Sequence, residues 1–256
     1  MLRRVVNIFT LSVTSLVVIA WLLDIVSLYY LIPLAVLYTI INIIGSSNIQ
    51  LNYFTHSYCN AITESKEISL TFDDGPDPEI TPRLLELLKE NNIKATFFCI
   101  GSKVKAEDTI INEIHNAGHI IGNHTYYHSK FFDLFSASRM VNEINFTNNL
   151  IYKTIGKTPL LFRPPYGVTN PMLKRALSRT KLISIGWSLR SLDTVKKESA
   201  VIEKLKSKTK PGDIVLFHDT VPDIVSVVRN YIQWLNENNF KIVSLNNLIN
   251  VPAYEN

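Results

Sequence analysis

Residues 5–45 form an almost uninterrupted apolar stretch, and this feature limits the possible folds of the chain more than any other. Asp24 is its only charged side chain. At 1.5 Å per residue, these 41 residues (45 − 5 + 1) would be about 62 Å long as one helix, roughly twice a ~30 Å hydrocarbon core. The length therefore favours two membrane crossings, about 5–23 and 27–45, with Asp24 at the turn between them.

A cleaved signal peptide is the alternative, because Arg3 and Arg4 give the chain a basic start. The apolar stretch is much longer than a signal core of about 7 to 15 residues, and no small-residue cleavage site stands out, so we expect a retained anchor. The two arginines favour a cytoplasmic amino terminus. Two crossings would keep the rest of the chain inside, and a single crossing would put it outside.

The remainder of the chain alternates between short β-rich runs and helical stretches, which predicts an α/β fold with a parallel sheet. We expect an anchor at residues 1–46, a polar connector at 47–66 and one domain at 67–256. About 190 residues with seven strand candidates suit one barrel-like domain. The candidates are ISLTFDD, KATFFCIG, HIIGNH, LLFRPPYG, KLISIGW, DIVLFH and KIVSL.

Charge and cysteine content exclude several classes of protein. The chain has 26 Lys and Arg against 22 Asp and Glu, and without residues 1–50 the balance is 24 against 21, or +3. This weak balance gives no reason to expect a nucleic-acid partner. The apolar content excludes a disordered chain, and two cysteines exclude a disulfide-stapled miniprotein. Cys99 lies in an apolar run and is expected to be buried. The oligomeric state is left open.

Conspicuous polar residues occur where the predicted strands end. The carboxyl ends of the strands share one face of a parallel α/β barrel, and active sites lie on that face. The segments are Thr71-Phe-Asp-Asp-Gly-Pro76, His124-Thr-Tyr-Tyr-His128, Arg163-Pro-Pro-Tyr-Gly167, Asp193 and Leu216-Phe-His218.

Two of these segments could hold a metal ion. Asp73 and Asp74 would point to opposite sides of an extended strand, but the following Gly-Pro favours a turn that brings both to one side. A plain turn signal is the alternative reading. His124 and His128 have the i, i+4 spacing that places two imidazoles on one side of a helical turn, and this spacing is used for divalent metals. With a carboxylate from a neighbouring strand end they would form a site suited to hydrolysis.

Hydrolysis also needs a base near the water and an acid near the leaving group, and Asp73 and His218 are available for these roles. His218 with Asp219 could instead form a helix cap. Arg163 ends an apolar strand, where a buried charge needs a partner, and Asp73 could be that partner.

Taken together, TFDDGP, HTYYH, RPPYG and LFH resemble the motifs of the polysaccharide deacetylase family, which has the NodB homology domain and is also called carbohydrate esterase family four. The resemblance covers about residues 66–249. It implies a distorted (β/α) barrel of about seven parallel strands, here preceded by the transmembrane segment. It also implies removal of N-acetyl, or sometimes O-acetyl, groups from sugars with one divalent metal ion, zinc or alternatively cobalt, nickel or manganese.

The resemblance assigns roles by position in the motifs. Asp74, His124 and His128 would bind the metal ion. Asp73 would be the general base, and Arg163 would orient it.

The remaining roles concern the leaving group and the oxyanion. His218 would protonate the departing amine, Asp193 would orient His218, and the backbone N–H of Tyr166 would stabilise the oxyanion. One motif departs from the family, because Arg190 and Thr194 replace the first Asp and the Trp of its Asp-x-x-Asp-Trp segment. The chemistry is expected to be intact, whereas the sequence leaves the glycan preference open.

The leading hypothesis is therefore a membrane-anchored deacetylase that acts on an N-acetylated amino-sugar glycan or glycolipid in a bacterial cell membrane. The side of the membrane depends on the number of crossings. An O-acetyl esterase acting on a polysaccharide and a non-catalytic glycan-binding protein on the same scaffold are the alternatives.

Overall fold

The structure is a computed structural model that describes residues 2–255. It begins with two apolar helices, α1 (Leu2–Leu22) and α2 (Leu31–Ser47), joined by a turn that contains Asp24. Both are long and apolar enough to cross a membrane, by length and composition. α1 has no buried residue and α2 buries only Gly45. The side chains of this helix pair are therefore mostly not buried against the rest of the protein.

An α/β domain follows, and its eight strands within residues 2–255 form one parallel sheet. The strands are β1 (Glu67–Asp73), β2 (Thr96–Cys99), β3 (Ile120–Asn123), β4 (Leu161–Phe162), β5 (Ile183–Ser184), β6 (Leu189–Arg190), β7 (Ile214–His218) and β8 (Lys241–Ile242). The order is β5-β4-β3-β2-β1-β7-β6, and β8 pairs with the start of β1. The predicted α/β fold with about seven parallel strands is confirmed, and all seven strand candidates form strands. The short β6 was not predicted.

Amphipathic helices cover the sheet. They are α3 (Ile80–Glu90), α4 (Gly101–Ala106), α5 (Asp108–Asn116), α6 (Ala137–Ile155), α7 (Pro171–Thr180), α8 (Glu198–Lys208), α9 (Ile224–Glu237) and α10 (Leu245–Ile249). Capping residues fix where several of these helices begin and end. In α6, for example, the Ser136 side chain caps the first turn and Gly156 ends the helix at φ 69°.

The register of the central strands brings the side chains of Asp73 and His218 next to each other. Asp73 at the end of β1 pairs with His218 at the end of β7 and with Phe98 of β2. Leu70 and Phe72 of β1 are fully buried, so the strand is fixed in the core. The carboxyl ends of β1 and β7 therefore meet at one edge of the sheet.

The connector packs along the domain. The backbone N–H of Tyr58 donates to the carbonyl of Ser184, 2.9 Å away, beside the edge strand β5. At the end of α2, Ser46 and Thr169 share two hydrogen bonds, of 2.9 Å from the Thr169 N–H and 2.7 Å from the Ser46 hydroxyl. This contact joins the helix pair to the loop that follows Tyr166.

Candidate active site

Asp73 and Asp74 reach the same side of the sheet because the chain turns between them. Asp73 is the last residue of β1, and Asp74 has a φ of 74°, in the left-handed region. Asp74 Oδ1 lies 3.5 Å from Nε2 of His124 and 3.5 Å from Nε2 of His128. Asp73 Oδ2 lies 3.8 Å from His124 Nε2.

The two histidines converge without a helix, so the predicted helical turn is wrong. Residues 124–128 form an irregular loop in which Thr125 and His128 have φ values of 63° and 48°. The loop is held by short-range bonds: the Thr125 N–H donates to Asn123 Oδ1 at 2.8 Å, and the His128 N–H donates to Thr125 Oγ1 at 3.0 Å. The ring centroids of His124 and His128 are 4.6 Å apart.

Asp74, His124 and His128 fit a metal ion. One ligand atom from each lies within 4.8 Å of the others. Asp74 Oδ1 is buried and has no hydrogen-bond partner among the described residues. His124 Nδ1 lies 2.7 Å from the carbonyl oxygen of Arg163, which can only accept, so Nδ1 carries a proton and Nε2 is the atom that could bind a metal ion. One carboxylate and two imidazoles are a common donor set for Zn²⁺ and similar ions.

For two of these three residues, the pKa shift favours the deprotonated state, which is the state that binds a metal ion. Burial raises the pKa of Asp74, but His124, His128 and His218 outweigh this effect and hold the pKa below its ordinary value. Burial and the charge of His124 lower the pKa of His128 to about 4. Burial lowers the pKa of His124, but Asp73 and Asp74 raise it by a larger amount. The pKa of His124 is therefore above its ordinary value. A proton on His124 Nε2, present only in the charged form of the ring, would have to leave before that atom could bind a metal ion.

Arg163 is fully buried and holds Asp73 in one orientation. Its Nη1 donates to Asp73 Oδ1 at 2.6 Å and to Thr71 Oγ1 at 2.8 Å, and Nη2 donates to the Gly186 carbonyl at 2.8 Å. The guanidinium also lies 4.2 Å from the ring centroid of Phe98. Thr71 was not predicted as a site residue, because a threonine inside a buried strand carries no sequence signal for this role.

His218 is held by a second carboxylate. Its ring Nδ1 lies 2.8 Å from Asp193 Oδ1, and its backbone N–H donates to Asp193 Oδ2 at 2.8 Å. Burial lowers the pKa of His218, but the hydrogen bond and charge of Asp193, with smaller contributions from Asp73 and Asp74, raise it above its ordinary value. A histidine with a raised pKa is suited to donate a proton near neutral pH.

A small cavity of about 150 Å³ is lined by Asp73, Asp74, His124, His128 and His218, whereas Arg163 and Asp193 are not among its lining residues. Tyr166 stands at its mouth, 59% exposed and with a φ of 57°, and its ring centroid is 4.8 Å from that of His128. Trp187 is half-buried and lines the cavity. Arg190 and Thr194 also line it, so the departure from the family pattern lies inside the site.

Several other residues with polar or reactive side chains lie outside this cavity. Tyr126 and Tyr127 border a separate surface cavity beside α6. His119 is buried, and its Nδ1 accepts a 3.1 Å hydrogen bond from the Ala95 N–H, so it has a structural role. Cys59 and Cys99 are buried free thiols.

Comparison with known proteins agrees with this geometry. The family model for polysaccharide deacetylase matches residues 60–183. A peptidoglycan-N-acetylglucosamine deacetylase from Bacillus cereus is 34% identical over 191 residues, which cover 72% of this chain and 88% of that protein. The chain belongs to the polysaccharide deacetylase family. The matched range contains the TFDDGP, HTYYH and RPPYG segments, whereas Asp193 and His218 lie beyond it.

Two further matches show how much of a relative the chain spans. Another B. cereus peptidoglycan-N-acetylglucosamine deacetylase is 38% identical over 157 residues, which cover 60% of this chain and 56% of that protein. The chain therefore spans little more than half the length of that relative. A crystal structure of a peptidoglycan N-acetylglucosamine deacetylase, in complex with an N-oxidanyl-benzamide, aligns with a TM-score of 0.72 and 28% identity. The alignment covers 77% of this chain and 94% of that one.

Proposed function

We propose that this chain is a membrane-anchored, metal-dependent hydrolase that removes N-acetyl groups from an amino-sugar glycan or glycolipid. The observation that carries the proposal is the convergence of three functions on one cavity: the ligand set around Asp74, the carboxylate of Asp73 held by Arg163, and His218 held by Asp193. Relatives named as peptidoglycan deacetylases support an amide of an amino sugar as the substrate.

Each residue has a task that follows from its position. Asp74, His124 and His128 would hold the ion, zinc or else cobalt, nickel or manganese, which would polarise the acetamide carbonyl and lower the pKa of the attacking water. Asp73 Oδ2, the oxygen that does not accept the Arg163 hydrogen bond, takes the proton of the attacking water. Because Arg163 binds the other oxygen, the carboxylate keeps its orientation.

His218 acts on the leaving group, and the backbone of Tyr166 acts on the oxyanion. The Asp193 carboxylate accepts the hydrogen bond from His218 Nδ1, so Nε2 can give its proton to the departing nitrogen. The backbone N–H of Tyr166 donates to the oxyanion of the tetrahedral intermediate. The positive φ at Tyr166 sets the direction of this peptide group.

The test is acetate release from N-acetylglucosamine oligomers, peptidoglycan or N-acetylated glycolipid by the full chain with Zn²⁺ or Co²⁺. Asp73→Asn should abolish release, because an amide cannot take the proton, while its oxygen still accepts from Arg163 and preserves the fold. Denaturant unfolding checks the fold of the variant. Full activity of a folded Asp73→Asn variant would contradict the mechanism. Amide and ester analogues compared in the same assay distinguish N-deacetylation from an O-acetyl esterase.

The membrane side determines which glycan the site meets. We infer that α1 and α2 form a hairpin, because the Tyr38 hydroxyl donates to Asn7 Oδ1 at 3.2 Å and Arg3 lies 4.9 Å from the ring centroid of Phe54. The amino terminus and the domain then share one side. Arg3 and Arg4 favour the cytoplasm, where a lipid-linked or small precursor is the accessible substrate. Outside, peptidoglycan or an exopolysaccharide is accessible.

A reporter fused to the carboxyl terminus tests the side. Alkaline phosphatase activity places the domain outside, and fluorescence of a cytosol-only reporter places it inside. The cytoplasmic result is the one that the hairpin and the two arginines predict.

A further inference from the structure

A second cavity lies where the helix pair meets the domain. It has a volume of about 780 Å³ and is lined by the start of α1, the connector and α7. Its polar lining includes Arg3, Arg4, Asn52, Tyr53, His56 and Lys174. None of its lining residues lines the catalytic cavity, so the two sites are separate.

The formally charged residues that line this cavity, among those the structure describes, are all positive. Arg3, Arg4 and Lys174 contribute three cations, and no carboxylate is among the described residues that line it. Arg4 and Lys174 are exposed and can adjust to a ligand. Cations collected in a concave site without a counter-charge attract an anion.

Two donors of this cavity lack acceptors. Tyr53 is only 4% exposed, and its hydroxyl has no hydrogen-bond partner within residues 2–255. Arg3 Nε is also buried and without a partner in the same range. Buried donors without protein partners are uncommon in folded proteins, and a water, an ion or a ligand usually satisfies them. A group with several acceptor oxygens and a negative charge suits donors of this kind and the surrounding cations.

The position of the cavity indicates where that anion comes from. Arg3 and Arg4 belong to the first turn of α1, and the neighbouring end of α2 packs its Gly45 against the ring of Tyr53. If the hairpin spans a membrane, as the proposed function states, these helix ends lie at headgroup depth. Ile8 of α1, exposed and also lining the cavity, offers an apolar path towards the acyl chains.

We propose that this cavity binds the phosphate headgroup of an anionic membrane lipid. Basic residues beside a membrane-spanning helix attract such lipids, and here the basic residues belong to both the helix pair and the domain. A bound headgroup would therefore join α1 to α7. It would fix the orientation of the catalytic domain on the membrane surface. This inference rests on the membrane anchoring in the proposed function and not on the deacetylase chemistry.

The experiment uses the full chain in neutral dodecyl maltoside micelles, titrated with phosphatidylglycerol, with dioleoylglycerol, which lacks phosphate, and with inorganic phosphate. Native mass spectrometry counts the bound lipids, and the unfolding temperature reports their effect. We expect one phosphatidylglycerol per chain, a higher unfolding temperature, and much weaker responses to the other two.

Matched variants locate the site. Lys174→Ala should weaken phosphatidylglycerol binding about tenfold, as expected for loss of one charge-assisted contact. Arg175→Ala is the control, because Arg175 is also an exposed cation of α7 but does not line the cavity. Tyr53→Phe should weaken binding without lowering the unfolding temperature of the lipid-free chain. A purely structural role for the Tyr53 hydroxyl would lower that temperature instead.

Each other outcome overturns the proposal in a defined way. Equal binding of phosphatidylglycerol and dioleoylglycerol, or equal effects of Lys174→Ala and Arg175→Ala, would exclude a headgroup site in this cavity. Inorganic phosphate binding as tightly as the lipid would exclude the lipid as its ligand. Flotation of the full chain with neutral phosphatidylcholine vesicles tests the anchor separately. Failure to float would overturn both the anchor and this proposal, whereas flotation without headgroup selectivity would overturn this proposal alone.

Discussion

Replacing Asp193 with Asn removes the charge that, in the proposed mechanism, keeps His218 protonated as the acid. Asp193 Oδ1 lies 2.8 Å from His218 Nδ1, and both side chains are largely buried, so solvent does not screen the pair strongly. Asn has nearly the same shape and keeps an oxygen that can accept a hydrogen bond. The substitution therefore changes charge while preserving most of the packing.

The size of the effect follows from that contact. A hydrogen bond to a charged group contributes about 1.5–3 kcal/mol. Since one pKa unit corresponds to about 1.4 kcal/mol, the pKa of His218 should fall by about one to two units. Burial, which lowers the pKa, remains after the substitution and acts in the same direction.

The sign of the pH effect follows from the role of His218. The protonated form exists below its pKa, and the raised pKa extends that form to higher pH. Asp193→Asn should therefore move the alkaline limb of the acetate-release profile to lower pH by about one to two units. Asp213→Asn is the control. Asp213 directly precedes β7, at the end of the strand opposite His218, and accepts a hydrogen bond from the Ser188 hydroxyl. It does not line the catalytic cavity. An alkaline limb unchanged in Asp193→Asn would refute the assignment of His218 as the acid.

Three further predictions concern stability and reactivity. Arg163→Met should lower the free energy of unfolding in urea by about 3–5 kcal/mol, because it leaves the buried Asp73 unpaired; an unchanged value would contradict the buried ion pair. Gly45→Val should speed protease cleavage of the connector, because the added Cβ would lie 2.4 Å from the ring of Tyr53 and would push the connector away from α2. Ile43→Ala is the control and should leave the cleavage rate unchanged, because Ile43 is exposed. Burial raises the pKa of Cys59 to about 11, so iodoacetamide should label it only after unfolding; rapid labelling of the native chain would contradict its burial.

The sequence was informative where local pattern and global structure coincide. Each predicted strand is a short run of β-branched and aromatic residues followed by polar residues, and the parallel register then brings those polar ends together, as for Asp73 and His218. The turn after Asp73 was also predictable, because glycine and proline follow the two aspartates.

Other features depend on contacts that sequence spacing does not encode. The i, i+4 histidines converge through a loop with two positive φ values and not through a helix. The partners of Arg163 include the hydroxyl of Thr71 and the carbonyl of Gly186, which come from distant parts of the chain. The basic cavity beside Tyr53 likewise forms only when α1, the connector and α7 come together.

The most direct test of the metal-dependent chemistry is a metal titration of the full chain. The chain is stripped with a chelator, Zn²⁺ is added back in known equivalents, and acetate release from N-acetylglucosamine oligomers is measured at each point. We predict no release without metal, a linear rise that ends at one equivalent per chain, and a loss of this response in His128→Ala. Full acetate release from the metal-free chain would contradict a catalytic metal at Asp74, His124 and His128.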